Sequence, residues 1–245
     1  LQKAKEVDGP QPTLVIAPTT VVFNWEAEIQ KFTPELSCLK LSGADRKTLF
    51  KHIPEYDIVI TSYALVRRDI AKLKKYNFRY IILDESQNIK NAISQTAQAV
   101  KELQSDHKLA LSGTPIENKL EELWSVFDFL MPGFLFNVAE FNYRYVTPIM
   151  ERQDKTVEKR LKLQIFPFIL RRMKRDVAKD LPDKVENMAY CELTDEQRDF
   201  YLEVLDSTKE ELFKSIELNG LEKSRMSIFS ALLRLRQICF MIKNM

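Results

Sequence analysis

Two adjacent carboxylates, Asp84 and Glu85, directly follow the run Tyr80-Ile81-Ile82-Leu83. A short apolar run of this kind is typical of a strand that is buried on both faces of a parallel sheet. The carboxyl end of such a strand is where α/β folds place their ligands. Two like charges in a partly dry crevice repel each other and lose hydration, so the pair is costly to keep without a partner.

A magnesium-bound phosphate would remove that cost. Asp84 could hold Mg²⁺, directly or through water, and Glu85 could position or deprotonate the attacking water. The alternative interpretation is an ordinary strand end whose acids favour the start of the next helix, because acids suit the positive end of a helix dipole. The pair alone does not decide between the two interpretations. The pattern of the surrounding sequence is needed to choose between them.

Short apolar runs alternate with helical periodicity around the acidic pair. Strands are predicted at residues 13–18, 38–42, 57–63, 80–83 and 107–112, and helices at 22–32, 93–103 and 115–130. The second helix is predicted from Ile93, Ala97, Val100 and Leu103, which share one helical face. This alternation predicts an α/β fold with a mostly parallel sheet, flanked by helices, over residues 13–134.

The remainder of the chain, residues 135–245, reads as an all-helical subdomain. Thr194 and Gln197 have the spacing of a capping box, which predicts the start of a long helix, and Gly220 is expected to interrupt it. Residues 159–175 carry seven basic side chains and no acid. Basic side chains are commonly a solvated face, so this run does not by itself establish a nucleic-acid contact.

Composition describes a soluble globular protein, with 45% apolar and 29% charged residues and a net charge of +2. Cys38, Cys191 and Cys239 match no metal-ligand spacing and are expected to be reduced core thiols of an intracellular protein. His52 and His107 are isolated and are interpreted as structural or surface residues. No stretch approaches the roughly 20 apolar residues of a membrane span, so no membrane partner is expected.

The chain resembles the Swi/Snf-type helicase-like ATPases of superfamily two in six blocks that occur in the family's order. The blocks are TLVIAPTTVVFNWEAEIQKF, DIVITSY, YIILDESQNIKN, LALSGTPIENKLEELWSVFDFLMPG, ILRRMKRDVAKDLPDKVE and LLRLRQIC. The resemblance implies a partial RecA-like motor lobe over residues 1–134 and a helical subdomain over 135–245. It further implies an ATP-driven motor that translocates along double-stranded DNA and displaces bound proteins without separating the strands.

The resemblance also implies roles for individual residues. Asp84 looks like the acid that coordinates Mg²⁺, Glu85 looks like the base that positions water, and Gln87 belongs to the same nucleotide-binding box. The sequence Asp-Glu-Ser-Gln replaces the family's more usual Asp-Glu-Ala-His and keeps both carboxylates. Ser112-Gly113-Thr114 resembles the family motif that couples the nucleotide site to DNA.

DNA contacts are implied at three places. The loops that grip the phosphate backbone in the family resemble Pro18, Thr19 and Thr20 after the first strand and Thr61 and Ser62 after the third. Hydroxyl and backbone N–H groups suit this task because they contact phosphate without reading bases, although helix capping is an equal alternative for each. The third place comprises Arg171, Arg172, Lys174 and Arg175, where salt-dependent DNA affinity competes with a role at the interface between lobes. Trp25 and Trp124 are interpreted as packing residues on helix core faces.

The chain departs from the family in two respects. It contains no GxxxxGK[ST] loop, and the second motor lobe with its arginine fingers is not among its 245 residues. We therefore expect most of a first motor lobe, whose parent chain supplies a second lobe and uses ATP and Mg²⁺. Expected partners are double-stranded DNA and a DNA-bound protein or the transcription machinery, in the cytoplasm or nucleoid of a prokaryote (favoured by the compact block spacing) or in a eukaryotic nucleus.

Two other functions stay open at this point. The chain could be a non-catalytic scaffold that binds DNA or a protein through a decayed motor fold. A metal-dependent hydrolase that uses only the two acids is the third possibility, although no histidine or further carboxylate cluster accompanies the pair. Retention of both Asp84 and Glu85 favours the motor, since a scaffold has no use for their electrostatic cost.

We expect the 245-residue chain by itself to show no DNA-stimulated ATP turnover, because the lysine and backbone cradle that hold the phosphates are not among its residues. Phosphate release, measured with and without duplex DNA, tests this expectation. Turnover by the purified chain would show that it holds another nucleotide site.

Overall fold

The computed structural model describes residues 1–9, 11–113, 120–172, 185, 187–188 and 190–240. The chain divides into two compact units, Leu1–Arg171 and Arg172–Met245. The division predicted from the sequence, between residues 134 and 135, stays a prediction about the extent of the motor lobe. No helix in these ranges is long and apolar enough to cross a membrane.

The first unit is built on one parallel sheet with the strand order β2-β3-β1-β4-β5. Its strands are β1 (Thr13–Ala17), β2 (Cys38–Lys40), β3 (Ile58–Ser62), β4 (Asn77–Leu83) and β5 (Gln104–Ala110). This arrangement confirms the predicted parallel α/β sheet. The chain runs from central β1 towards one side of the sheet through β2 and β3, then towards the other side through β4 and β5. The carboxyl ends of β3, β1 and β4 therefore meet where the strand order reverses, which is the usual ligand position of such sheets.

Burial on both faces explains why β1 and β3 are continuous apolar runs, since every residue of both strands is buried. Along β1 the side chains alternate between two cores. Leu14 and Ile16 join the cluster that includes Phe78, Val100 and Phe129, whereas Val15 and Ala17 join the cluster that includes Ile29. This alternation is the period of two expected of a strand covered on both sides.

Two strands begin earlier than predicted. β4 starts at Asn77 and includes Arg79, which is only 6% exposed and whose guanidinium donates to the carbonyls of Ala4 and Gly9. A charged residue within the strand hides its start from a search for apolar runs. β5 starts at Gln104 and follows β4 at the side of the sheet, where polar residues are tolerated because the strand is only partly covered.

Helices and short helical turns connect the strands. The α-helices of the first unit are α1 (Gln2–Asp8), α2 (Val22–Phe32), α3 (Arg46–Leu49), α4 (Tyr63–Leu73), α5 (Gln95–Lys101), α6 (Leu120–Leu130), α7 (Val138–Phe141), α8 (Thr147–Met150) and α9 (Lys155–Ile165). Turns of 3₁₀-helix span Phe50–Glu55, Ser86–Ile89 and Phe166–Phe168, and a π-helical turn spans Asn142–Val146. The predicted helix at 22–32 is confirmed as α2, and α4 was not predicted.

The placement of Ile93 on a helix core face is wrong. Ser94 caps α5, its hydroxyl accepting from the backbone N–H of Ala97 at 3.2 Å, so the helix begins at Gln95. Ile93 precedes the cap and is 81% exposed. The residues predicted on the same face further along, Ala97, Val100 and Leu103, are buried as expected.

A third apolar cluster packs the helices that follow α6 against α6 itself. Trp124 and Phe127 of α6 belong to one buried cluster with Phe141, Tyr145 and Leu161 from the later helical segments. Trp124 is buried in this cluster, which confirms its predicted packing role, and its indole Nε1 donates to the carbonyl of Phe136 at 3.1 Å.

The second unit contains a helix, α10 (Asp195–Cys239), that begins at the predicted capping box of Thr194 and Gln197. Gly220, with φ 77° and ψ 164°, interrupts it as predicted, in a region of backbone space that is essentially restricted to glycine. The hydroxyl of Ser224 donates to the carbonyl of Ser215 at 3.1 Å across this interruption.

The expectation that all three cysteines lie in the core is wrong for two of them. Cys38 is half-buried, and burial raises the pKa of its thiol to about 11. Cys191 and Cys239 are exposed. An isolated cysteine carries no periodicity of its own, so its burial has to be inferred from neighbours, and those neighbours are largely exposed here.

A polar network at the amino end of the sheet fastens α1 to the strands. Both the ammonium of Lys5 and the backbone N–H of Ser37 donate to Oδ2 of Asp57 at 2.8 Å. Burial alone would raise the pKa of Asp57, but the hydrogen bonds from Lys5 and Ser37 outweigh it and lower that pKa below its usual range. The ionised carboxylate therefore stabilises the folded state.

We expect Asp57→Asn to lower the free energy of unfolding at pH 7 by about 1.5–3 kcal/mol, the usual value of a hydrogen bond to a charged group. Because the folded-state pKa is lowered, this stabilisation is present above the unfolded pKa of about 3.9 and is lost as the pH falls through the folded value. Urea denaturation at several pH values measures it, and the gap between variant and wild type should close towards low pH.

The matched control is Asp45→Asn. Asp45 is an exposed carboxylate that precedes α3 without a capping hydrogen bond from its side chain. The control removes the same single charge and should leave the unfolding free energy nearly unchanged. An equal effect of both substitutions would mean that net charge, and not the contacts of Asp57, sets the pH dependence.

Candidate functional site

The acidic pair lies at the carboxyl edge of the sheet, where the strand order reverses. The backbone N–H of Asp84 donates to the carbonyl of Ile16 at 2.9 Å, and that of Leu111 donates to the carbonyl of Leu83 at 2.7 Å. These two bonds continue the pairing of β4 with β1 and β5 beyond the strand ends. Asp84 and Glu85 are both half-buried there, in the position that the sequence predicted.

Hydrogen bonds fix Asp84 from three directions. Its Oδ2 accepts from the indole Nε1 of Trp25 at 2.8 Å, and its Oδ1 accepts from the backbone N–H of Glu85 at 3.0 Å. Its carbonyl accepts from the phenol of Tyr63 at 2.7 Å. Burial, together with the negative charges of Asp84 and Glu85, raises the pKa of Tyr63 well above its usual range, so the phenol keeps its proton and remains a donor.

Glu85 adopts a left-handed backbone conformation, with φ 50° and ψ 57°. Such a conformation costs a non-glycine residue about 1–2 kcal/mol and is found where surrounding contacts enforce it. Here the side-chain amide of Asn88 donates to the carbonyl of Glu85 at 2.8 Å, and the N–H of Ser86 donates to the carbonyl of Leu111 at 2.8 Å. The structure therefore uses two further contacts to hold the turn at Glu85.

The carboxylate of Glu85 does not act as a helix cap. Glu85 precedes the 3₁₀ turn at Ser86–Ile89 without a capping hydrogen bond from its side chain. Its Oε2 instead accepts from the side-chain amide of Gln87 at 2.8 Å. The alternative interpretation of the pair, in which the acids merely cap the next helix, therefore fails for Glu85.

Gln87 joins Glu85 to the predicted coupling motif. The hydroxyl of Ser112 donates to Oε1 of Gln87 at 3.2 Å, while Nε2 of the same amide donates to Glu85. One side chain thus connects the ends of β4 and β5. Ser112 and Gly113 are exposed, whereas Thr114, the third residue of the motif, lies outside the described part of the chain.

The residues predicted to contact DNA fall into two groups. Thr19 and Thr20 are exposed and Pro18 is half-buried in the turn between β1 and α2, close in sequence to the sheet edge that carries the acids. Thr61 and Ser62 are only 2% and 4% exposed. The hydroxyl of Thr61 donates to the carbonyl of Leu41 at 3.2 Å, so this hydroxyl bonds inside the unit.

The basic run is described only in part. Arg171 and Arg172 are exposed, whereas Lys174 and Arg175 lie outside the described residues. Lys162, one member of the run, forms an ion pair with Glu158 along one face of α9, with 2.6 Å between Nζ and Oε1. Part of the run is therefore a salt-bridged helix surface, as the plainer interpretation expected.

The site suits a magnesium ion that is bound together with phosphate. Mg²⁺ prefers carboxylate oxygens, keeps several waters and commonly takes only one or two protein carboxylates plus substrate phosphates. Asp84 supplies such an oxygen at an open sheet edge. Among the described residues no group of three or more His, Cys, Asp or Glu side chains is arranged to enclose a metal, so the remaining ligands would have to come from phosphate and water.

Sequence reasoning missed two residues of the site. Helical periodicity predicts a packing role for Trp25, and the residue does pack against the cluster around Val22 and Ile29, but its indole also reaches Asp84. The sequence pattern identifies Tyr63 only as the end of a strand. A phenol that directly follows the hydroxyls of Thr61 and Ser62 at a strand end is a signal that could have identified it.

The parallel sheet, with helices packed on it and the adjacent acids at its switch point, has the RecA-like fold of a SWI2/SNF2 ATPase core. The model of the SNF2-related domain matches residues 1–242 of the chain. The chain therefore belongs to the SNF2-related domain family, which confirms the resemblance found in the sequence.

Individual relatives agree with this assignment. The chain is 40% identical over 252 residues to the TATA-binding protein-associated factor MOT1 of Saccharomyces cerevisiae. The match covers 97% of this chain and 14% of that protein. It is 41% identical over 233 residues to YwqA of Bacillus subtilis, which is named as an ATP-dependent helicase/translocase. That match covers 93% of this chain and 25% of the relative.

A solved structure extends the agreement to the fold. The SWI2/SNF2 ATPase core of Sulfolobus solfataricus in complex with double-stranded DNA superposes with a TM-score of 0.68 at 42% identity. That match covers 97% of this chain and 49% of the other. The chain thus spans about half of the solved core and a smaller share of the two longer relatives.

We expect Gln87→Ala in the parent protein to lower ATP hydrolysis by about tenfold or more, because one hydrogen bond to a charged group is worth about 1.5–3 kcal/mol. The substitution frees the Glu85 carboxylate and disconnects Ser112. Steady-state phosphate release in the presence of DNA measures the effect.

Gln87→His and Asn91→Ala serve as comparisons for this measurement. The histidine restores a side chain that can both donate and accept, and should recover much of the activity. Asn91 accepts from the N–H of Ile93 at 3.2 Å and does not belong to the relay, so its substitution should be neutral. Equal activity of Gln87→Ala and wild type would remove Gln87 from the site.

Proposed function

We propose that this chain is part of an ATP-dependent translocase that moves along double-stranded DNA and remodels nucleoprotein complexes. The observation that carries the proposal is the geometry of Asp84 and Glu85 at the switch point of the sheet, held by directed hydrogen bonds. The similarity to a SWI2/SNF2 ATPase core bound to double-stranded DNA supports the choice of DNA as the track.

In this proposal the two acids have separate tasks. Asp84 holds the magnesium ion of a bound ATP, which neutralises charge on the phosphates. Glu85 orients the attacking water and accepts its proton. Gln87 holds Oε2 of Glu85 at 2.8 Å, which would leave the other oxygen, Oε1, to accept from the water. The same amide links Glu85 to Ser112, the first residue of the coupling motif.

DNA contact is proposed separately at the turn after β1 and at the exposed Arg171 and Arg172. Thr19 and Thr20 offer hydroxyl and backbone N–H groups at the turn before α2, which suits sequence-independent contact with phosphates. Arg171 and Arg172 would add salt-dependent affinity. We do not extend the proposal to Thr61 and Ser62, because buried hydroxyls cannot reach a phosphate without a rearrangement.

The remaining parts of the proposal concern the parent protein. A second motor lobe and the phosphate cradle are supplied by the parent, since the chain spans about half of the solved SWI2/SNF2 core. A DNA-bound protein is the proposed object of remodelling, in keeping with the name of MOT1 as a TATA-binding protein-associated factor. If the parent protein acts on chromosomal DNA, it is located in a prokaryotic cytoplasm or nucleoid, or in a eukaryotic nucleus.

We expect Glu85→Gln in the parent protein to lower DNA-stimulated ATP hydrolysis by about 10²–10⁴-fold, the usual contribution of a general base. The amide keeps the shape of the side chain and cannot accept a proton from water. ATP binding and DNA binding should remain near wild type. Phosphate release and equilibrium binding of labelled ATP and duplex DNA measure the three quantities.

Glu102→Gln is the matched control. Glu102 is exposed and pairs with Lys74 at 3.4 Å, so the same chemical change there should leave turnover unaffected. Normal turnover by Glu85→Gln would remove Glu85 from its proposed role. DNA binding by a wild-type parent that shows no turnover would favour the non-catalytic scaffold instead.

A further inference from the structure

Trp25 makes a contact that packing does not require. The side chain is half-buried against the cluster of Val22 and Ile29, on the sheet face that α2 covers. Its indole Nε1 points to the sheet edge and donates to Oδ2 of Asp84 at 2.8 Å. The two residues are 59 positions apart in the sequence, so the bond depends on the fold of the whole unit.

A short hydrogen-bonded path fixes the indole relative to the sheet. The N–H of Val21 donates to the carbonyl of Pro18 at 2.9 Å, and the N–H of Trp25 donates to the carbonyl of Val21 at 3.1 Å. Trp25 therefore lies in the first turn of α2, which follows β1 after a tight connection. The indole has little freedom to move independently of the strand that pairs with β4.

The chemical nature of the donor is informative. An indole N–H is a neutral donor that cannot also accept, so it can hold one carboxylate oxygen in a fixed direction. A lysine or arginine in its place would hold the oxygen too, but would cancel the charge that a metal ion needs. The backbone N–H of Glu85, which donates to the other carboxylate oxygen, is a neutral donor too, and the phenol of Tyr63 donates to the main-chain carbonyl of Asp84.

We propose that Trp25 is a positioning residue for Asp84, which orients the carboxylate for a divalent cation while leaving its negative charge intact. The inference rests on the proposed function, because it assigns Trp25 to the same magnesium-nucleotide site. Trp25 does not touch the reacting atoms in this scheme and acts through Asp84 alone.

The experiment compares nucleotide affinity with and without Mg²⁺ in the parent protein, with a fluorescent ATP analogue as the probe. Trp25→Phe removes the donor and part of the ring, and replacement of Trp25 by 3-benzothienylalanine removes the N–H with almost no change in shape. Both substitutions should reduce the gain in affinity that Mg²⁺ provides by roughly tenfold, the lower end of the effect of losing an outer partner of a metal ligand. Affinity measured without Mg²⁺ should not change.

Trp124→Phe is the matched control. Its indole also donates to an oxygen, the carbonyl of Phe136 at 3.1 Å, but it lies in the cluster between α6 and the later helices. This variant should keep the full gain from Mg²⁺. A loss of the same size there would show that removing any buried indole disturbs binding, and would overturn the assignment of Trp25.

The benzothienyl variant decides the outcome even if Trp25→Phe folds poorly, because it keeps the packing volume. A full gain from Mg²⁺ in this variant overturns the proposal. Equal losses with and without Mg²⁺ also overturn it, since they would place Trp25 against the nucleotide itself. The unsubstituted parent protein is measured before any variant. If its nucleotide affinity did not increase with Mg²⁺, that result would contradict the proposed function itself and not only the role of Trp25.

Discussion

Two adjacent carboxylates at an open sheet edge impose the constraint on which the rest of this structure depends. The pair has to keep its charge to be useful, yet like charges in a partly dry position repel each other. The contacts that the described residues make to the two carboxylates come from neutral donors, namely the indole of Trp25, the backbone N–H of Glu85 and the amide of Gln87. Such donors lower the cost of the charge and fix its direction without cancelling it, which leaves the charge available to a cation.

The sheet supplies the rigidity that these contacts require. β1 is fully buried between β3 and β4, so its end is a fixed reference for both neighbours. Helix α2 starts from that end and brings Trp25 to Asp84, while α4 starts from the end of β3 and brings Tyr63 to the carbonyl of Asp84. The pairing of Leu111 with Leu83 does the same for Ser112 and Gln87. Four strand ends thus converge on one acidic pair.

The sheet and the acids could be predicted from the sequence because local patterns encode them. Strand burial appears as continuous apolar runs, and a charged pair that ends such a run stands out. The contact of Trp25 could not be predicted in this way, since helical periodicity shows that the ring faces the core but not where its N–H points. The roles of Thr61 and Ser62 could not be decided from the sequence for a related reason: a hydroxyl at a strand end suits a ligand loop or an interior carbonyl equally well. Only the position of Leu41 decides the matter for Thr61.

The left-handed turn at Glu85 accommodates glutamine as the last residue of the sequence Asp-Glu-Ser-Gln at positions 84–87. With φ at 50°, the chain turns back sharply enough for the amide of Gln87 to reach the carboxylate two residues earlier. The same amide accepts from Ser112, so it donates and accepts at once. A histidine can do both only in its neutral form, and near neutral pH it exchanges that form for one with two donors. An amide does not titrate, and the connection from Glu85 through Gln87 to Ser112 is therefore insensitive to pH at this residue.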